Sequence, residues 1–544
     1  MPFERAAVSS AASAAEDLGV VFPAAADGRR GTTETGRAVV AAALGAVDPA
    51  AADAASRERD WRRNYVVHLR RLVELGLRNP QAAQSIAQAG LHAAATHLQF
   101  SRNGSAVPLA QAMQAPATRY ATHAVHGASK AGPAPLAVPY RGQMLSGDGL
   151  RRQLDRWKAD GVLEPSFARA LWRVQANPDW LDLSDQRFAL LGAQAEMAPL
   201  PWLVRWRAQV WAVDQPREAV WQKLARLAHA GNGVMHVPLF SAERNVEWTR
   251  RAGADLIIDT PEIAAWLAPV AGPLTVGAYA YLDGALHVRV AAAVDAIQAQ
   301  LAAAHPAVTL AMLATPTDAY AVPPEAIDAA HACFAQRGPL ARAAAALSLG
   351  RGFQCNGVRI DAAGELATDA ATNAAASAAT NAAADAAAKA AGKDGVQGAT
   401  SIAGLGGIID ALVVQQGPNY VLAKRLQHWR ALVARASGVR VSIHVAPPAL
   451  TGSVTKNRLI AAAYRAAHRF GAQAFEPATA AALMAALLVH DLRNPESPAN
   501  PAVPLAHPLQ LLTDAACHGG LWRMPYAARS ALPAAALLGM LQRA

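Results

Sequence analysis

The chain has 544 residues, too many for one compact core, so two or three domains are expected. A hydrophobic fraction of 53% with 17% charged residues excludes a mainly disordered protein, and three cysteines (Cys333, Cys355, Cys517) exclude a disulfide scaffold. The net charge of +10 is scattered rather than massed, because the densest basic run, Arg57–Arg71, is broken by Glu58, Asp60 and apolar residues at helical spacing; no nucleic-acid partner is expected.

Residues 1–145 read as a helical N-terminal region. It begins without the continuous apolar run of a secretory signal. Trp61, Tyr65, Val66, Leu69, Leu72, Val73 and Leu77 recur at three-and-four spacing, Gly76 and Asn79-Pro80 supply a stop, and a second Ala-rich helix runs from about Pro80 to Gln99. Residues 115–147 are dense in Pro, Gly and Ser and read as a connector. His92, His97, His123 and His126 keep no ligand spacing with a carboxylate or cysteine, so no metal site is expected. Residues 146–180 form a helical connector, with one helix over Leu150–Val174.

Short apolar runs then alternate with helices: Phe188–Gly192, Val210–Asp214, Val234–Pro238, Asp255–Asp259, Val308–Leu313 and Val439–Val445. That alternation predicts an α/β fold, a doubly wound parallel sheet, with ligands at the carboxyl ends of its strands. Residues 323–414 interrupt the pattern as an insertion; within it, 361–395 are low-complexity, lack large apolar side chains and are expected to be disordered. Ala478–Val489 is well short of the roughly 20 apolar residues of a membrane span, so no span is expected, and the low cysteine count suits a reducing, cytoplasmic location.

Two segments carry chemistry. The first strand runs into Gly192-Ala-Gln194-Ala-Glu196-Met197-Ala-Pro199, a helix begins near Leu200, and the next strand ends at Asp214. A strand, a tight turn, a helix and an acid-tipped strand form the unit that holds an adenine dinucleotide, the helix end facing pyrophosphate and the acid facing ribose. Only one glycine stands in the turn, and Glu196 puts an anion where phosphates approach, so an ordinary crossover accounts for it equally well. The second segment is Tyr420-Val-Leu-Ala-Lys424, opening a helix to about Ala436, then the strand Val439–Val445 and the turn Ala446-Pro447-Pro448-Ala-Leu-Thr451. Residues four apart share a helix face, and an ammonium beside a phenol is predicted to lower its pKa toward usable acid–base chemistry.

Over Tyr420–Val454 the chain resembles the short-chain dehydrogenase/reductase family. The late segment Glu476–Val489 is similar to that family's late helix, and Pro508–Asp514 with Gly519-Gly520 to its last strand and terminal glycine turn. The likeness spans roughly residues 180–525 without the insertion, and it implies that residues 181–544 form a Rossmann-like domain. It further implies an NAD- or NADP-dependent oxidoreductase acting on a carbonyl, alcohol or activated alkene of a small-molecule substrate, hydrophobic ones included. Tyr420 and Lys424 would be catalytic, with Thr315 or Thr317 holding the substrate oxygen and Ser401 as a third choice. Gly192, Gln194, Glu196, Met197, Asp214, Asp259, Tyr420, Lys424, Pro447 and Thr451 would line the cofactor. Asp283 or His287 would stand in for the family's relay asparagine. Asp214 points to NAD while Arg217 points the other way, and the family's habit of pairing helices implies a homo-oligomer. The chain departs from the family in its turn, in Asp259-Thr-Pro-Glu262 after the expected fourth strand, and in the long separation of the fifth strand from Tyr420. A Rossmann-like module that binds a nucleotide or a partner without turnover is the alternative.

Overall fold

Six apolar runs align as parallel strands: β1 (Arg187–Leu191), β2 (Gln209–Val213), β3 (Val234–Leu239), β4 (Leu274–Ala278), β5 (Val308–Ala314) and β6 (Arg440–Val445). The computed structural model describes residues 18–117, 119–240, 245–347, 352–360, 366 and 401–542. The strand order is β6-β5-β4-β1-β2-β3, and a seventh strand, Ala121–His126, pairs antiparallel with β3 at the edge. Uninterrupted apolar runs suit strands covered on both faces. In β1, Phe188 and Leu190 enter one core while Ala189 and Leu191 enter the other. The result is a mixed α/β architecture, a mostly parallel seven-stranded sheet flanked by helices, compatible with a Rossmann-like fold.

One face of the sheet carries α1 (Trp61–Leu77), α2 (Pro80–His97), α3 (Ala285–Ala304) and α4 (Pro418–Ala436). Pro418 takes the first helical position of α4, where a missing N–H costs nothing. Gly90 of α2 sits so close to Trp429 of α4 that a Cβ would lie 2.4 Å from the indole, and the Tyr65 hydroxyl of α1 donates to the Val413 carbonyl at 3.1 Å. The N-terminal helices therefore share a continuous core with α3, α4 and the sheet. After β6 come α5 (Arg458–Ala466), α6 (Pro477–Arg493) and α7 (Ala528–Leu541). The second face is covered by α6 together with helices Gly147–Ala159 and Pro165–Ala176.

The α1 and α2 boundaries match the periodicity, as do α4, β6 and α6. Several expected elements differ. Asp255–Asp259 is a turn, not a strand: the Asp255 carboxylate accepts the N–H groups of Ile257 and Ile258, and Asp259 accepts that of Asp255, so side chains take the bonds a ladder needs. The fourth parallel strand is instead Leu274–Ala278, and α3 begins at Ala285. Tyr279-Ala-Tyr281-Leu282, not Asp259–Glu262, follows the fourth strand. Pro508–Leu512 is a 3-10 helix capped by His507, not a last strand. The 115–147 connector contains the edge strand, and the N-terminal region holds the antiparallel strands Gly19–Val21, Gln99–Arg102 and Ser105–Pro108. Leu150–Val174 breaks into two helices at Gly161 (φ 67°) and Pro165. At the base of the insertion, Ala319–Val322 pairs with Gly407–Asp410, which pairs with Gly357–Arg359. Pinning its ends together lets a long excursion leave β5 and return to α4 at little entropic cost. Residues 361–395, apart from Leu366, lie outside the described residues. Among the described residues, no helix is long and apolar enough to cross a membrane.

Candidate active site

From β1 the chain moves outward through β2 to β3; from β4 it moves the other way through β5 to β6. Open sheets bind ligands beyond the strand ends at such a reversal. Here Tyr279 and Ala280, leaving β4, both donate to Leu191 at the end of β1. Gly192 turns the chain with φ 95°, and a Cβ there would lie 2.5 Å from the Ala280 nitrogen, so only glycine lets these two loops meet. Ala446, leaving β6, donates to Ala314 at the end of β5 at 3.0 Å.

Thr315 and Thr317 follow β5 directly. The Gln416 side-chain amide donates to the Thr317 hydroxyl, whose oxygen lies 3.0 Å from that of Thr315. Either hydroxyl can donate across the pair, and one further group faces Thr315. That group is Tyr420: the buried Thr315 hydroxyl faces the phenol and favours its ionised form. The Tyr320 hydroxyl donates to the Thr315 carbonyl and fixes the turn. The two threonines are thus ordered, Thr315 against the phenol and Thr317 behind it. His287 of α3 stacks on Tyr420 with centroids 5.5 Å apart, and Tyr281 lies 6.1 Å away. The His287 Nδ1 accepts the Leu282 N–H at 3.4 Å; its buried Nε2 has no partner among the described residues. Burial drives the His287 pKa down to about 3, helped by the Lys424 charge, so the ring is neutral and Nε2 carries the proton.

Lys424 lies one turn beyond Tyr420, but it does not lower the phenol's pKa as the spacing predicts. Its ammonium donates to the Leu313 carbonyl at 3.0 Å and to Gln427 at 3.2 Å. Burial pushes Tyr420 up to about 12; Thr315 pulls it down, and the nearby Asp318 carboxylate raises it further. Lys424 itself falls to about 8 because it is buried. Tyr464 of α5 is near enough to Tyr420 to be raised by it, and Ser453 faces the Tyr281 hydroxyl, so the segment after β6 closes over the cluster.

The cofactor-side residues are differently placed. Asp214 is buried, with burial raising its pKa, and accepts the N–H of Gln194 at 2.8 Å, the Gln194 side-chain amide at 3.2 Å and the N–H of Gln215 at 2.9 Å. Within the turn, Gly192 and Ala193 donate to Val213, Ala195 to Gly192 and Ala198 to Ala195, and the helix that follows is only Leu200–Leu203. Glu196 reaches across the rim and accepts the Gly452 N–H at 2.8 Å. Met197 packs on the core. Pro447 is buried beside β6, and the Thr451 hydroxyl lies 2.9 Å from that of Ser453. Asp259 is held in its own turn facing Tyr120, in a local cap rather than at a strand end, and Ser401 precedes the short Ile402–Leu405 bridge. Asp283 is exposed and pairs with Lys456 at 3.7 Å.

The structure thus brings Tyr420, Lys424, Thr315, Thr317 and His287 together. Tyr281, Gln416, Ser453 and Tyr464 escape sequence reasoning. Tyr281 was readable once the fourth strand is placed at Leu274–Ala278; the other three depend on loop paths that no spacing encodes. No protein-family model matches the chain, and neither a curated protein nor a solved structure matches it.

Proposed function

We propose that the chain is an oxidoreductase of the short-chain dehydrogenase/reductase type, using NAD or NADP on a carbonyl-bearing small molecule. The observation that carries this reading is the Thr315–Tyr420 pair with Lys424 one turn on, at the strand ends beside the reversal in strand order. Tyr420 stays protonated through neutral pH, which suits donation of its proton to a substrate oxygen. Thr315 orients that oxygen, and Thr317, itself held by Gln416, braces the Thr315 hydroxyl. The neutral His287 offers its Nε2 proton beside the phenol.

The dinucleotide supplies hydride when bound. The donor set on the β5–β6 side fits its nicotinamide ribose: Lys424 and the Thr451 hydroxyl would hold it. On the pyrophosphate side, binding requires the Glu196–Gly452 bond to open. The test is dinucleotide-dependent reduction of a carbonyl panel: Tyr420→Phe abolishes turnover while dinucleotide affinity stays unchanged.

One feature favours a second reading, a nucleotide- or partner-binding module without turnover. The turn after β1 spends five of its N–H groups on the protein and presents the Glu196 carboxylate. Under that reading, the parent chain binds a nucleotide or a partner and shows no dinucleotide-dependent turnover for Tyr420→Phe to remove. A cytoplasmic location and a homo-oligomer complete the leading proposal.

A further inference from the structure

The segment that closes over Tyr420 presents an unusual outer surface. No Asp or Glu occurs between Ala411 and Phe475, or between Ala515 and Ala544. These stretches supply α5 and α7, which pack backbone to backbone: a Cβ on Gly539 would lie 1.8 Å from the Ala462 carbonyl oxygen. On α7, Leu537, Met540 and Leu541 are 60%, 54% and 72% exposed. Their i, i+3, i+4 spacing puts them on one helix face. On and beside α5, Arg458, Arg465 and Arg469 are exposed, as is Leu459, while the neighbouring Lys456 pairs with Asp283. Arg465 ties the two sets together by donating to the Gly539 carbonyl at 3.1 Å.

Exposed large apolar side chains beside arginines that pair with no acid among the described residues are the combination that inserts into a headgroup layer, the apolar face entering the acyl boundary while the guanidinium groups meet anionic lipid. An acidic protein would match the cations but gives no reason to leave three large apolar side chains in water. We infer that the α5–α7 surface docks on an anionic membrane, with the covering segment of the Tyr420 cluster facing the lipid. The inference stands on this surface alone and does not depend on the redox reading.

The test uses the full chain in sedimentation with phosphatidylcholine vesicles and with vesicles containing phosphatidylglycerol, at low and high salt. Binding to the anionic vesicles alone, weakened by salt, is expected. Leu537→Gln/Met540→Gln/Leu541→Gln and Arg458→Gln/Arg469→Gln are each expected to reduce it on the order of tenfold or more, with unchanged melting. Met540→Trp reports insertion separately, its emission shifting to the blue on anionic vesicles. Equal binding to both vesicle types, or binding to neither, overturns the inference. So does a dimer in solution that Leu537→Gln dissociates, which assigns the stripe to a second copy.

Discussion

The Glu196 carboxylate accepts the Gly452 N–H at 2.8 Å, tying the turn after β1 to the loop after β6. It thereby fills with protein charge the place where the proposed function requires phosphate. Glu196→Gln keeps an acceptor for Gly452 but removes the charge. Affinity for NADH or NADPH is expected to rise on the order of tenfold or more, since one like charge in a partly screened site is worth at least that. Calorimetric titration of both proteins measures it.

The Gln416–Thr317–Thr315–Tyr420 chain ranks its members. Thr315→Ala is expected to lower turnover about a hundredfold or more, because it removes the group beside the phenol. Thr315→Ser is expected to restore most of that. Thr317→Ala, which acts only through Thr315, costs less. Steady-state kinetics on the three variants gives the order.

How far was this legible beforehand? The helical spacing of Tyr420 and Lys424 and the run Val308–Leu313 placed the cluster, since local periodicity dictates which residues share a face. The Lys424 effect was not legible. Whether an ammonium tunes a phenol depends on where packing holds its charge, and here it donates to the Leu313 carbonyl and the Gln427 side chain. The Asp255–Asp259 run looked like a strand because Leu256, Ile257 and Ile258 are strand formers; the two flanking carboxylates capture the backbone instead. The edge strand Ala121–His126 was hidden among turn residues, its pairing supplied by β3 rather than by its own composition.

Lys424 gives a pH signature in stability. Its native pKa is about 8 against 10.5 for an ordinary lysine. Between those values the unfolded chain holds the proton and the native one does not. Stability therefore rises with pH through that window, by on the order of 3 kcal/mol. Lys424→Met is expected to be more stable than the parent below pH 8 and to lose the rise, as read by urea unfolding from near neutral to about pH 10.5.

The buried His444–Asp491 pair, 2.6 Å long, clamps α6 to β6, and Ser497 donates to the other Asp491 oxygen at 2.7 Å. Asp491 holds the His444 pKa up against burial, and His444 keeps Asp491 low. The His444 contribution is complete below the unfolded histidine value and fades as pH rises through its raised native one. The Asp491 contribution is complete above the unfolded carboxylate value and fades as pH falls toward its depressed one. Asp491→Asn leaves a buried imidazole without its counter-charge, and a loss of about 3–5 kcal/mol is expected in denaturant unfolding near pH 6.

The measurement that bears most directly on the redox reading is titration of the full chain with NADH and NADPH, followed by protein fluorescence, in the parent and in Glu196→Gln. Saturable binding of one dinucleotide, tighter in Glu196→Gln and weakened by Lys424→Met, is the predicted result. No binding of either dinucleotide to either protein up to millimolar concentration contradicts the assignment.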